Sequence, residues 1–261
     1  MILALLVILT ITSTSNATVW TLMNNNSTVQ IDSQSQSGMF NWNVDGVDHM
    51  FQQWFWYRIG TNPESSIDTL TLGSQTLIAP NILKLSYSNA KVAIDVTYVL
   101  SGGTTGSKTS DVGESIRIKN KTTSALDMHF FQYTDFDLGG TPNDDTAVRS
   151  NANTILQTDA NGTYFSEVVA TPQANHYEIA EYPTIKNLLN DTYPSTLSDN
   201  GGPVTGNVSF AWEWDRVLSA GGTLLISKDK IIDVNPVPEP ATILLIGIGL
   251  VGTFAISRRK H

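Results

Sequence analysis

The residues of this chain whose types and spacing suit chemistry fall into four groups. Trp54 and Trp56, and again Trp212 and Trp214, sit two apart, each pair followed by an arginine (Arg58, Arg216). Residues two apart on a strand share a face, so each arginine lies beside two flat aromatic rings. Rings of this kind stack on sugars while the cation bonds their hydroxyls. The favoured reading is that the same tryptophans, with Trp42, fill a core, because indole carries a large apolar area. A second group is the acidic stretch TDFDLGGTPNDD. There Asp135, Asp137, Asp144 and Asp145, with Asn143, supply hard oxygen ligands of the kind Ca²⁺ takes. Gly139 stands where a third acidic ligand would be needed and no glutamate closes the loop, so this is no EF-hand and a solvated turn is the competing reading. Third, Glu178 with Glu181 and Glu213 with Asp215 are carboxylate pairs of the type glycosidases use as acid and base. Fourth, His49, His129 and His176 are far apart in sequence, without HExxH or an i, i+4 pairing. His129 lies within MHFFQY, where a hydrogen-bonded core imidazole is expected rather than a metal ligand. No GxSxG elbow, P-loop or GxGxxG is present.

The elements that must hold these residues are strands. Residues 18–236 are rich in Thr, Ser, Asn and Gly, with β-branched and aromatic residues in alternation. In residues 90–100, Val92, Ile94, Val96 and Tyr98 fall on one face. In residues 115–121, Ile116 and Ile118 point in while Arg117, Lys119 and Lys121 point out. Residues 126–136 are apolar on both faces, which marks a central strand. Further strands are expected over 163–169, 207–218 and 223–227, and one short helix over 184–190. Paired glycines such as Gly221-Gly222 punctuate them, because tight reversals need φ > 0. The expected fold is an all-β antiparallel β-sandwich, in one domain spanning 18–236. The shared W-x-W-x-R pattern at 54–58 and 212–216 is either a mark of equivalent strands in two halves or chance.

Both ends read differently from this body. Residues 1–17 (MILALLVILTITSTSNA) are an apolar run leading to a small-x-small site after Ala17, a secretory signal peptide for Sec export. No Lys or Arg precedes the run, which points to a charged beginning upstream. Residues 237–261 place three features in order. Pro238-Glu239-Pro240 is held extended, since proline fixes its own φ and biases the residue before it. Residues 241–257 are uncharged and apolar, ~25 Å long as a helix at ~1.5 Å per residue, a minimal transmembrane helix against a ~30 Å bilayer core. Arg258, Arg259 and Lys260 then form a basic stop that holds the terminus in the cytoplasm.

This ending resembles the PEP-CTERM sorting signal, the substrate tag of exosortases. The resemblance rests on Val237-Pro238-Glu239-Pro240-Ala241-Thr242, the Leu/Ile/Gly-rich span and the basic tail, and covers about a tenth of the chain. It implies recognition of Pro238, Glu239 and Pro240 by a membrane-embedded exosortase. It also implies cleavage nearby, a transient stay in the inner membrane and delivery to the cell surface or beyond, often among extracellular polysaccharide and biofilm matrix.

Composition narrows the rest. The chain carries −9, and because its last segment is net basic the body is more acidic still, which disfavours nucleic acid as a partner. Cysteine is absent, so disulfides and thiolate metal sites are excluded. The sequence therefore suggests an exported structural or matrix protein, not an enzyme, with no cofactor apart from the Ca²⁺ option. A carbohydrate-binding module is the alternative, and a glycan hydrolase a more distant one.

Overall fold

The computed structural model describes residues 19–234. The segments read as signal peptide, extended triplet, membrane span and basic stop lie outside them. Among the described residues no helix is long and apolar enough to cross a membrane. In chain order the elements are β1 (Val19–Asn24), β2 (Ser27–Asp32), β3 (Gly38–Val44), β4 (Val47–Asp48), β5 (Met50–Ile59), β6 (Ser65–Ser66), β7 (Thr71–Ala79), β8 (Ile82–Ser88), β9 (Val92–Gly102), β10 (Thr109–Asn120), β11 (Leu126–Phe136), β12 (Asp145–Asn151), β13 (Thr154–Thr158), β14 (Tyr164–Thr171), β15 (His176–Glu181), α1 (Thr184–Leu188), β16 (Val204–Gly206), β17 (Val208–Leu218) and β18 (Thr223–Asp233).

Two nine-stranded sheets face each other. The first runs β1-β2-β3-β5-β11-β17-β15, with β4 on β3 and β6 on β5; the second runs β16-β12-β13-β14-β18-β10-β9-β8-β7. Pairing is antiparallel except for a short parallel contact of β3 with β5. The all-β expectation holds, and the alternation decides which side each strand buries. Val92, Ile94, Val96 and Tyr98 are fully buried in β9, as are Ile116 and Ile118 in β10. Arg117 and Lys119, which alternate with them, are exposed. β11 is central, between β5 and β17, and is covered on both faces.

One strand runs further than its sequence suggests. β18 continues past Ser227 to Asp233, and Lys228 and Lys230 point inward with Leu224, Ile226 and Ile232. Burying two ammonium groups is tolerable only with opposite charge beside them. Glu114 of β10 lies 2.9 Å from Lys228 and 2.6 Å from Lys230, and Glu167 of β14 lies 3.0 Å from Lys228. Gln132 of β11 accepts a further bond from Lys228, which ties the two sheets together.

The W-x-W-x-R echo is not a structural repeat. Trp54, Trp56 and Arg58 stand opposite Tyr133, Phe131 and His129 of β11, whereas Trp212, Trp214 and Arg216 stand opposite Gln132, Phe130 and Met128. The two motifs therefore occupy opposite faces of one sheet. Trp54, Trp56, Trp212 and Trp214 are all 0% exposed, which bears out the core reading and corrects the alternative of a solvent-facing platform for sugars. They pack instead against Phe55, Phe130, Tyr133 and Tyr177.

The outer face of the first sheet is itself covered by α1 and the extended stretch that follows it. Ile185, Leu189 and Leu197 are buried there. Backbone N–H groups of this stretch donate to carboxylates rising from the sheet and its edge: Ser195 to Glu64 (2.8 Å), Leu197 to Glu213 (2.8 Å) and Ser198 to Glu178 (2.9 Å). An extended strap without strand partners needs such acceptors for its amides.

Candidate functional site

At one end of the covered face the central strands bring charged residues into a row. Cross-strand register sets Arg58 of β5 opposite His129 of β11, and His129 opposite Asp215 of β17. Glu213, two residues before Asp215, shares its face and stands opposite His176 of β15. Side chains directly opposite in an antiparallel pair approach to ~5 Å, so register alone forces contact.

The contacts are dense. His129 Nδ1 bonds Asp215 Oδ1 in a short contact, with Glu213 Oε1 at 3.6 Å and Arg58 Nη2 at 3.0 Å. Arg58 donates through Nε to Glu64 (2.9 Å), through Nη1 to the Gly60 carbonyl (2.8 Å) and through Nη2 to the Ser195 carbonyl (2.9 Å). His176 completes the arrangement from the other side, its Nε2 3.7 Å from Asp215 Oδ2 and its Nδ1 3.0 Å from Asp199. Asp215 is thus flanked by two imidazoles that lie 47 residues apart in sequence.

Depth separates the roles. Glu64 and Glu213 side chains are wholly buried and Arg58 nearly so, whereas His129 is 14% and Asp215 25% exposed at the rim. The Nε2 of His129 faces outward, 3.6 Å from the exposed carboxylate of Asp127. The bond from Asp215, then that from Glu213, raises the His129 pKa to about 9 against the effect of burial. Burial pushes Glu213 above the usual carboxylate range. Burial would also raise Asp215, but the bond and charge of His129, with Glu213 and His176, together outweigh this and hold it below that range. At neutral pH the rim therefore offers an imidazolium steadied by a carboxylate, with its outer nitrogen available as a proton donor.

Metal binding is the other chemistry this cluster suggests. Among the described residues, His129, Glu213 and Asp215 bring ligand atoms within 4.8 Å of one another. Arg58 already presents a guanidinium 3.0 Å from His129 Nδ1 and 3.6 Å from Glu213 Oε1. That positive charge occupies the place a divalent cation would need, so the arrangement suits proton transfer better than coordination.

The remaining candidates from the sequence are dispersed. No three of Asp135, Asp137, Asp144 and Asp145 bring ligand atoms within 4.8 Å among the described residues. Asp135 accepts the Tyr133 hydroxyl (2.8 Å), and Asp145 accepts Gln157 Nε2 (2.7 Å). Glu178 and Glu181, three apart on β15, project from opposite faces and form no pair. His49 is buried and accepts the Gly139 N–H at 3.0 Å, and burial lowers its pKa. Sequence reasoning missed Arg58 and Glu64 as members of the cluster. The available signal was a histidine, a glutamate and an aspartate inside strands otherwise apolar on both faces, where ionisable groups need a partner.

Comparison with known proteins gives two findings. Residues 236–260 match the model of the PEP-CTERM protein-sorting motif. The motif marks the chain for export to the cell envelope or surface, with an exosortase as its processing partner. No curated protein matches the chain in sequence. Among solved structures, the chain resembles a bacterial glucoamylase complexed with acarbose (TM-score 0.57, 7% identity, 85% of this chain). It also resembles a putative aldose 1-epimerase from Escherichia coli K12 (0.56, 9%, 84% of this chain and 99% of that one). A protein from Synechocystis sp. PCC 6803 is a third (0.52, 8%, 87% of this chain and 100% of that one). The chain spans 34% of the glucoamylase. At these identities the likeness is one of fold. The expectation of a non-enzymatic body is corrected to this extent: a bacterial glucoamylase and a putative aldose 1-epimerase share this fold.

Proposed function

We propose that the chain is an exported, exosortase-sorted protein whose sandwich acts on carbohydrate by proton transfer at the His129 rim. The observation that carries this reading is the Arg58–His129–Asp215 row, which fixes one imidazole nitrogen and leaves the other facing solvent. The reaction class is opening or epimerisation at the anomeric centre of an aldose or of a glycan reducing end. His129 donates a proton to the ring oxygen through Nε2, and the neighbouring Asp127 carboxylate takes the proton of the anomeric hydroxyl. Asp215 is a positioning residue that holds the His129 tautomer and charge. Arg58 pairs with Glu64 and lies near Glu213 beneath. The likeness in fold to an aldose 1-epimerase and a glucoamylase supports the substrate class.

The route to the surface belongs to the same proposal. Residues 1–17 direct export by the Sec pathway, residues 241–257 span the inner membrane until processing, and Arg258, Arg259 and Lys260 stop transfer. The exported body then works among extracellular polysaccharide.

Polarimetry and exchange NMR on a panel of aldoses and reducing oligosaccharides test the chemistry. The purified protein should equilibrate anomers faster than buffer. His129→Asn should lower that rate by about 10²-fold or more, the usual share of a positioned acid. Because His129 must be protonated, the rate should decline as pH rises through about 9. No acceleration on any sugar of the panel, or an unchanged rate in the folded His129→Asn protein, would overturn the proposal.

A further inference from the structure

The same sheet carries a second feature at its opposite end, about 20 Å along β5 from Arg58 at ~3.3 Å per residue. A groove of about 510 Å³ opens there between β5, the turn after β2 and α1. We infer that it is a separate saccharide-binding site, with Phe51 as the stacking platform. The inference shares the carbohydrate-directed reading proposed above but none of its residues.

Phe51 reaches the surface through a defect in pairing. Gln52 stands opposite Asp135 and Met50 opposite Phe136, so Phe51 has no partner on β11 and forms a β-bulge. Bulges re-aim a side chain, and this one turns a phenylalanine outward until it is 46% exposed. The ring is held there in a T-shaped contact with Tyr182, at 5.7 Å and 80°. Its exposed part lines the groove together with Phe40.

The polar floor is fixed in advance. Gln52 is nearly fully buried, and its carboxamide is set by Lys186, whose Nζ donates to Oε1 at 2.7 Å, and by the Gln36 carbonyl, to which it donates. Gln36 donates from Nε2 to Asn190 Oδ1 at 2.8 Å, and Asn190 also accepts the Trp56 indole. Two amides, the hydroxyls of Ser35 and Ser37 and one ammonium therefore surround two aromatic rings, and no carboxylate lines the groove. A pyranose matches this lining, since its C–H face lies on a ring while its hydroxyls meet amides and hydroxyls. The Lys186 ammonium, in a strongly acidic chain, further suits a ring bearing a carboxylate.

Isothermal titration of the full chain with neutral and uronate-containing oligosaccharides of four to six residues tests the site. At least one should bind with micromolar affinity. Phe51→Ala should weaken it by about tenfold or more with little change in melting temperature, because nearly half of the residue is exposed. Lys186→Gln should weaken uronate-containing ligands more than neutral ones. His129→Asn should leave binding unchanged, which separates this site from the proposed proton-transfer centre. Binding by none of the oligosaccharides, or equal binding by the Phe51→Ala protein, would overturn the inference. Binding by the native protein without catalysis on any sugar would support it and count against the His129 reading alone.

Discussion

Replacing Lys228 by methionine tests whether the buried ionic cluster between the sheets holds the sandwich together. The change is nearly isosteric, so it leaves little cavity and isolates the charge. In the native protein Lys228 joins Glu114 and Glu167, all of them 0–2% exposed. After the change Glu114 keeps Lys230 at 2.6 Å, but Glu167 loses its ion pair with Lys228 and keeps the Thr134 hydroxyl at 3.4 Å and the weaker attraction of Lys230 on the neighbouring strand. Stranding one buried charge in this way costs about 3–5 kcal/mol. That is a large share of a domain's total stability of about 5–15 kcal/mol. With a urea slope of about 2 kcal/mol/M, the midpoint should fall by about 1.5–2.5 M. Tryptophan fluorescence reads it well, since Trp42, Trp54, Trp56, Trp212 and Trp214 are all buried. The pair Lys228→Met with Glu167→Gln should recover at least about 1 kcal/mol, because the stranded charge is gone. A single mutant within about 1 kcal/mol of the native protein, or a double mutant worse than the single, would refute the reasoning. The pH dependence has a definite sign. Burial raises Glu114, but Lys228 and Lys230 outweigh it and hold its pKa below the ordinary value. Its contribution is therefore present above that ordinary value and lost as pH falls through the folded one.

Further outcomes follow from the same physics. Burial raises the Asp145 pKa to about 7, so its favourable contribution is complete below the ordinary aspartate value and lost as pH rises through about 7. Asp145→Asn keeps an oxygen for Gln157 and the Leu138 N–H, and scanning calorimetry should find it stabilising at pH 8 and neutral at pH 4. Equal effects at both would contradict this. Glu239→Ala should leave uncleaved protein in the membrane fraction on an immunoblot, whereas normal surface delivery would remove Glu239 from the sorting motif.

The two levels of description divide along residue distance. The alternation of β9 and β10 and the two-faced apolarity of β11 are visible in short windows, because strand geometry has a period of two and burial follows it. The short helix was visible locally too, from its place just after Pro183. β18 was not, beyond Ser227: Lys228-Asp229-Lys230 looks like solvent until Glu114 and Glu167 are brought against it from other strands. The tryptophans show the complementary limit. Their spacing places each pair on one face, but nothing local says whether that face meets water, the facing sheet or the strap of residues 184–200.

What the sequence by itself determined is therefore the all-β body and the sorting motif at residues 236–260, since both are read from neighbouring residues. What only the tertiary structure decided is the candidate chemistry. Arg58 and His129 are 71 residues apart, and His129 and Asp215 are 86 apart. Their meeting depends on the register of three strands, and register is set by the fit of the whole sheet rather than by any stretch of chain.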